Sequence, residues 1–233
     1  MSKLSRKERE KKRRREAILD AAESVIFRKG LEAARMDEIA DRAELSKGTL
    51  YLYFQNKMEL YLGLCERGSI QLNALLAKVL VSDKSGIQMI RDLGARYIEF
   101  VQENPHYFDA FMYFEAYTDT EELANSEIGQ RCDEYLNEAI GYITRALQVG
   151  MHDGTISDEF EPRKLAIQIW GATRGLIQMT HLESSGHHFS ILKDLDMETE
   201  QMFREFMLLV LRGISTEKGK NDLGSFSVET SVG

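Results

Sequence analysis

The chain has 233 residues, 43% apolar and 29% charged, with two prolines and two cysteines, a composition that suits one or two packed domains rather than a disordered chain. No apolar run approaches the roughly 18 residues of a membrane span, the first residues lack the apolar core of a signal peptide, and Cys65 and Cys132 cannot form a disulfide framework or a CxxC site. A cytoplasmic chain with buried thiols and no membrane partner is therefore expected. The net charge of −8 speaks at first against nucleic acid, but residues 1–15 carry +7, residues 1–60 carry +4 and the remainder carries −12, so the two parts face different partners.

In chain order the apolar spacing is that of helices almost throughout, and the fold class expected is all-α. A first helix is predicted over residues 9–29, with Ile18, Ala21, Ala22, Val25 and Ile26 on one stripe and Gly30 as its stop. Two short helices follow near 36–43 and 47–54, and a fourth runs from Lys57 toward Val81 before a polar turn at 82–86. Residues 87–103 form an amphipathic helix ahead of Pro105, an aromatic segment occupies 106–117, and 119–126 reads as a loop or weak helix start. A helix over 127–149 ends at Gly150 and an acidic loop covers 151–161. Pro162 opens a helix to about residue 183, since its missing N–H is not needed in a first turn. A loop over 184–196 precedes a last helix at 198–213, and the small, polar residues 215–233 read as disordered.

The segment MDEIADRAELSKGTLYLYFQNKMELY, residues 36–61, packs a short helix, a tight turn, a second short helix and the start of a third into 26 residues. Ile39, Ala40, Leu45, Leu50 and Phe54 supply a small core, Ala40 allows close crossing, and Ser46 can cap the second helix. The pattern IAxxAxxSKGTLYxYFxxKxxL resembles the DNA-binding signature of TetR-family transcriptional regulators, a resemblance that covers about residues 15–62. It implies a basic arm or helix extension at 1–15, a three-helix helix-turn-helix DNA-binding domain at 16–62, a larger helical-bundle ligand-binding and dimerisation domain at 63–214, and a tail at 215–233. It also implies that Lys47, Gly48 and Thr49 open the recognition helix against bases and phosphates. Tyr51 and Tyr53 offer hydroxyls to phosphate, Leu52 lies on the exposed face and can touch a thymine methyl, and Lys57 adds charge at a helix N-terminus. Two departures from the family pattern bear on the contacts. Glu44 stands where glycine is usual in the turn and has to accept a left-handed or nearby conformation, and Ala34 and Arg35 replace the usual capping hydroxyls, with Arg35 gaining a phosphate contact. Residues 3–15 read either as a solvated tail or as an arm or helix extension that neutralises phosphates.

Beyond residue 62 the helices near 162–183 and 198–213 carry apolar stripes too wide for one packing surface, and the resemblance implies that they pair between two subunits in a four-helix homodimer interface. Two recognition helices about 34–36 Å apart, or farther, would then read a palindromic operator in double-stranded DNA. The aromatic segment reads either as core or, with Tyr97, Phe100, Phe108, Phe111, Met112 and Phe114 facing Trp170 and Met179, as a pocket for a small apolar or aromatic effector. Arg174 is the candidate partner for a carboxylate there, with a salt bridge as the plainer alternative. The expected function is a ligand-released homodimeric repressor. Its rival among binding proteins is a DNA-binding protein regulated by a protein partner, or an architectural binder. An enzyme is disfavoured: one Glu-x-x-His pair occurs, Glu103 and His106, and Pro105 interrupts it. His187 and His188 sit in a Gly/Ser loop, no nucleotide or nucleophile motif is present, and no catalytic residue, metal or cofactor is expected.

Overall fold

The computed structural model describes residues 5–117, 126–184 and 198–224. Among these residues the secondary structure is helical, apart from an isolated bridge between Ile156 and Ser215. The helices are α1 (Arg6–Lys29), α2 (Met36–Arg42), α3 (Lys47–Tyr51), α4 (Lys57–Leu80), α5 (Gly86–Glu103), α6 (Pro105–Tyr117), α7 (Glu127–Asp153), α8 (Pro162–Ser184), α9 (Thr199–Ile214) and α10 (Glu217–Leu223). The chain divides into two compact units, the first Met1–Gln71 with Asn104–Tyr135 and the second Leu72–Glu103 with Leu136–Gly233. The first unit thus takes in sequence well past residue 62, including all of α6.

In the first unit, α1 starts three residues earlier than the apolar stripe predicts, because Ser5 and Glu8 close a reciprocal capping box: the Glu8 N–H donates to the Ser5 hydroxyl and the Ser5 N–H to the Glu8 carboxylate. Residues 6–15 are therefore helix rather than tail. Ile18, Leu19, Ala22, Val25 and Ile26 are buried, and Gly30, at φ 79°, turns the chain after the last residue. Gly63 lets α4 pass close by, since a Cβ there would lie 2.9 Å from Leu19 and from the Phe54 ring. The aromatic segment is core of this unit: Tyr107, Phe108, Phe111 and Phe114 are buried. Within it, His106 stacks on Phe27 at 4.5 Å and Tyr113 meets Tyr61 edge-on at 5.0 Å. The Tyr107 hydroxyl donates to Glu23 and accepts from Gln71, and burial with the adjacent Glu23 charge pushes its pKa up to about 12. Cys65 and Cys132 are buried, as expected.

In the second unit, α5 and α9 cross at Gly94, where a Cβ would meet Met207 at 2.9 Å, and α5 and α7 cross where Gly86 meets Gly150. That crossing explains one departure from the sequence reading. Gly150 does not end α7; it lies inside the helix as the residue small enough for the contact, and α7 continues to Asp153. Part of the expected acidic loop is consequently helix, and Thr155 and Ile156 after it are buried. A second departure is α10, which falls in the stretch read as disordered. Thr216 caps it and hydrogen-bonds Gly154, Lys218 reaches the Asp153 carbonyl, Gln88 reaches the Asp222 carbonyl, and Gly219 seats directly on the Thr155 carbonyl. Its seven residues have no apolar stripe, so these contacts hold it. Of the expected loops at 119–126 and 184–196, all but Ser126 and Ser184 lie outside the described residues, as does the tail beyond Gly224.

Candidate nucleic-acid interface

Three local devices place α3. Arg35 stands at the N-cap of α2 without a side-chain hydrogen bond, but Asp37 and Glu38 in the first turn favour the positive end of the helix dipole. The turn out of α2 is a Schellman closure: the Leu45 N–H donates to the Ala40 carbonyl at 3.0 Å and the Glu44 N–H to Asp41 at 3.1 Å. Glu44 takes the left-handed position with φ 55°, the conformation its place in the turn demands. Ser46 then caps α3, its hydroxyl accepting the Thr49 N–H at 3.1 Å. Leu50 and Phe54 are fully buried beneath, which fixes the opposite face outward. α3 is shorter than predicted, since the chain leaves the helix after Tyr51 and turns through Leu52 and Tyr53.

The outward face carries Ser46, Lys47, Gly48, Tyr51 and Leu52, all exposed, Leu52 to 83%. An apolar side chain that exposed contributes nothing to the core. A Cβ at Gly48 would meet only the Ser46 hydroxyl, at 4.0 Å, so folding does not require glycine there. Thr49 and Tyr53 are half-buried, and the Thr49 hydroxyl lies 2.8 Å from that of Ser46. Two cations are engaged within the unit: Lys47 pairs with Asp37 at 2.5 Å, and the Lys57 ammonium donates to the Glu32 carbonyl at 2.9 Å. Arg35 is exposed. The α1 and α4 helices that support this face are joined by charge. Glu66, buried on α4, accepts Arg15 at 2.5 Å and Arg131 at 2.6 Å. The next residue, Arg67, binds Glu16, Asp20 and Glu23; burial disfavours its charge but the three carboxylates prevail and raise its pKa. Sequence periodicity gives no sign of this buckle, because its partners lie 44 to 65 positions apart.

The residues expected to line one pocket divide between the two units. Phe108, Phe111, Met112 and Phe114 belong to the first; Tyr97, Phe100, Trp170, Arg174 and Met179 belong to the second. In the second unit Tyr97 and Trp170 are in contact with ring centroids 5.4 Å apart, and the Arg174 guanidinium sits 5.3 Å over the Trp170 ring. Met179 is exposed to 44%. Tyr97, Trp170, Leu76, Ile90, Phe203 and Met207 are among the residues enclosing an apolar cavity of about 40 Å³, room for roughly two or three waters. Among the described residues no group of three His, Cys, Asp or Glu side chains is placed to hold a metal ion, and no helix is long and apolar enough to cross a membrane.

An all-α chain whose first unit turns a short, capped helix outward over a three-helix core is by its architecture a helix-turn-helix protein. Residues 18–64 match the family profile described as bacterial regulatory proteins, tetR family. The transcriptional activator FasR of Mycolicibacterium smegmatis is 36% identical over 91 residues, 39% of this chain and 42% of that protein. The transcriptional repressor KstR of Mycobacterium tuberculosis is 31% identical over 117 residues, 50% of this chain and 52% of that protein. The chain thus spans about half the length of the curated relatives it matches. Its fold is similar to that of the regulator FadR from Bacillus subtilis in complex with stearoyl-CoA, with a TM-score of 0.60, 20% identity and coverage of 85% of this chain and 98% of that one.

Proposed function

We propose that this protein is a sequence-specific DNA-binding transcriptional regulator, acting as a homodimer that releases a dyad-symmetric operator when an apolar effector binds its second unit. The observation that carries the reading is the outward face of α3. Gly48 and Leu52 are free of any packing duty, and the capped helix start at Ser46 presents backbone N–H groups as DNA-binding helices do. In this reading Gly48 lets the backbone approach the duplex, Leu52 and the Thr49 methyl meet thymine methyls, and Tyr51 and Tyr53 hold phosphates. Arg35 adds a phosphate contact. Lys47 and Lys57 reach phosphate only by exchanging their partners Asp37 and Glu32, so their gain is smaller than for unpaired cations.

Dimerisation through α8 and α9 is supported by what those helices leave uncovered. Ile167 and Met179 on α8 and Leu209 on α9 are exposed, and a Cβ at Gly171, Gly175 or Gly213 would meet nothing within 4 Å, a surface suited to a two-fold partner. The effector reading is supported by the apolar lining beside Trp170 and by the acyl-CoA complex of the structurally similar FadR. At about 40 Å³ the cavity is far below the ~300–1,000 Å³ of a ligand site, so the effector-bound state requires Trp170 and the flexible Met207 to move, and the ligand favours the state that opens them. Selection of genomic fragments by the full chain tests the core of this reading. One dyad-symmetric sequence, bound by a dimer and released by stearoyl-CoA or another bulky apolar ligand that raises the melting temperature, is the expected result. Fragments without a shared sequence would overturn it.

A further inference from the structure

We propose that the first turns of α1 are a fixed cationic spar that grips the DNA backbone beside each half-site, an inference that rests on the DNA-binding function proposed above. The helix begins at Arg6, capped by Ser5, yet its first buried residue is Ile18. Residues 6–14, a length of about 14 Å, therefore extend past the core. Their sequence continues the core-facing stripe in register: stepping back from Ile18 by helical spacing gives Arg14, Lys11 and Lys7. One face of one helix is thus apolar where it meets the core and cationic where it leaves it, and residues 6–15 carry a net +6.

The base of the spar is held. Arg15 is tied to the buried Glu66, and the next turns are tied to Arg67 through Glu16, Asp20 and Glu23. Farther out, Arg13 and Arg14 pair with Glu10, but no carboxylate among the described residues pairs with Lys7, Lys11 or Lys12. The cationic face is also continuous with the recognition face, since a groove of the first unit has Lys11 and Arg15 along one side and Tyr51, Leu52 and Tyr53 along the other. Phosphates of the duplex that α3 reads are the occupant of matching charge at that place. Because the helix is capped and anchored beforehand, binding does not bear the ordering entropy of a flexible tail, and each lysine that meets a phosphate releases condensed counterions.

The test uses full-length chain and the operator fragment it selects. The double variant Lys7→Ala/Lys11→Ala removes two cations from the spar's inner face, and Arg9→Ala/Arg13→Ala removes two from the opposite face. The first should flatten the slope of log K against log salt by about 3–4 for a dimer and shorten the hydroxyl-radical footprint at both outer edges; the second should do neither. Glu10→Pro keeps every cation and removes an acid but breaks the helix, whereas Glu10→Gln removes the same acid and keeps it. The proline variant should bind about tenfold more weakly than wild type and the glutamine variant more tightly. All four changes precede the first buried residue, so the melting temperature should stay unchanged. Equal effects of the two double variants, or a proline variant as tight as the glutamine variant, would overturn the spar and assign a diffuse tail. Binding of these residues to phosphatidylserine vesicles with DNA affinity unaltered would overturn it in favour of a membrane surface. Failure of the wild type to select any shared sequence is a different result, and refutes the proposed function itself.

Discussion

Glu44→Gly tests whether the helix-turn-helix turn stores strain. Glu44 is the left-handed residue of the closure between α2 and α3, with φ 55°, and its exposed side chain makes no ion pair among the described residues. A residue with a Cβ costs roughly 1–2 kcal/mol in this conformation. Glycine removes that cost but adds about 0.4–1 kcal/mol of unfolded-chain entropy, leaving a net gain of about 0.5–1 kcal/mol, or roughly 1–4 °C in melting temperature for a chain of this size. Glu44→Ala is the control, because alanine removes the same carboxylate and keeps the Cβ. Both variants should bind DNA more tightly than wild type and to the same degree, through loss of a negative charge near the phosphates, whereas the glycine variant alone should melt higher. Thermal unfolding followed by circular dichroism and salt-dependent binding by fluorescence anisotropy separate the two effects. A glycine variant no more stable than the alanine variant would show that the turn carries no strain and refute the reasoning.

Gly48→Ala should leave the protein as stable as wild type or slightly more so, since alanine is the better helix residue by about 1 kcal/mol and its methyl meets only the Ser46 hydroxyl, at an unstrained 4.0 Å. The same variant should lose operator affinity in anisotropy, because that methyl takes the place the duplex approaches. Gly86→Ala should cost about 3 kcal/mol or more, a severe overpacking, because its Cβ would lie 2.0 Å from the Gly150 nitrogen; urea unfolding reads this directly. Asp153 gives a pH prediction. Burial pushes its carboxyl up, but hydrogen bonds from Thr155 and from the Gly86 N–H outweigh burial and hold its pKa below the ordinary value. A depressed carboxylate contributes stability above its unfolded pKa that is lost as pH falls through the folded one. Asp153→Asn should therefore be less stable than wild type at pH 7, and the difference should shrink below about pH 4 in thermal melts.

The fold class and the outward face of α3 are legible because they rest on local rules. Ser46 caps whatever helix follows it, Leu50 and Phe54 share a side of that helix by spacing, and the turn at Glu44 demands a positive φ whichever residue fills it. Gly150 reads from spacing alone as a helix stop because glycine usually follows a helix end; only the approach of Gly86 reveals that its lack of a side chain serves packing. The polar α10 was invisible for a related reason, since its caps and seats are on Asp153, Gly154, Thr155 and Gln88 rather than in its own periodicity. The aromatic segment was ambiguous between core and pocket, as aromatic rings satisfy both. The structure places Phe108, Phe111 and Phe114 in the core of the first unit and leaves the cavity of the second to Tyr97, Trp170 and their neighbours.

What the sequence determined by itself is therefore the helical class, the helix-turn-helix and its outward residues, all set by interactions within about five positions. The uneven charge was also legible, but not its form. Whether +7 near the start is a loose tail or a shaft depended on a capping box at Ser5 and on Arg15, Glu66 and Arg67, groups from distant positions brought together on neighbouring helices. Contacts of that kind depend on how helices cross, and no spacing along one helix encodes the side chain it will meet on another.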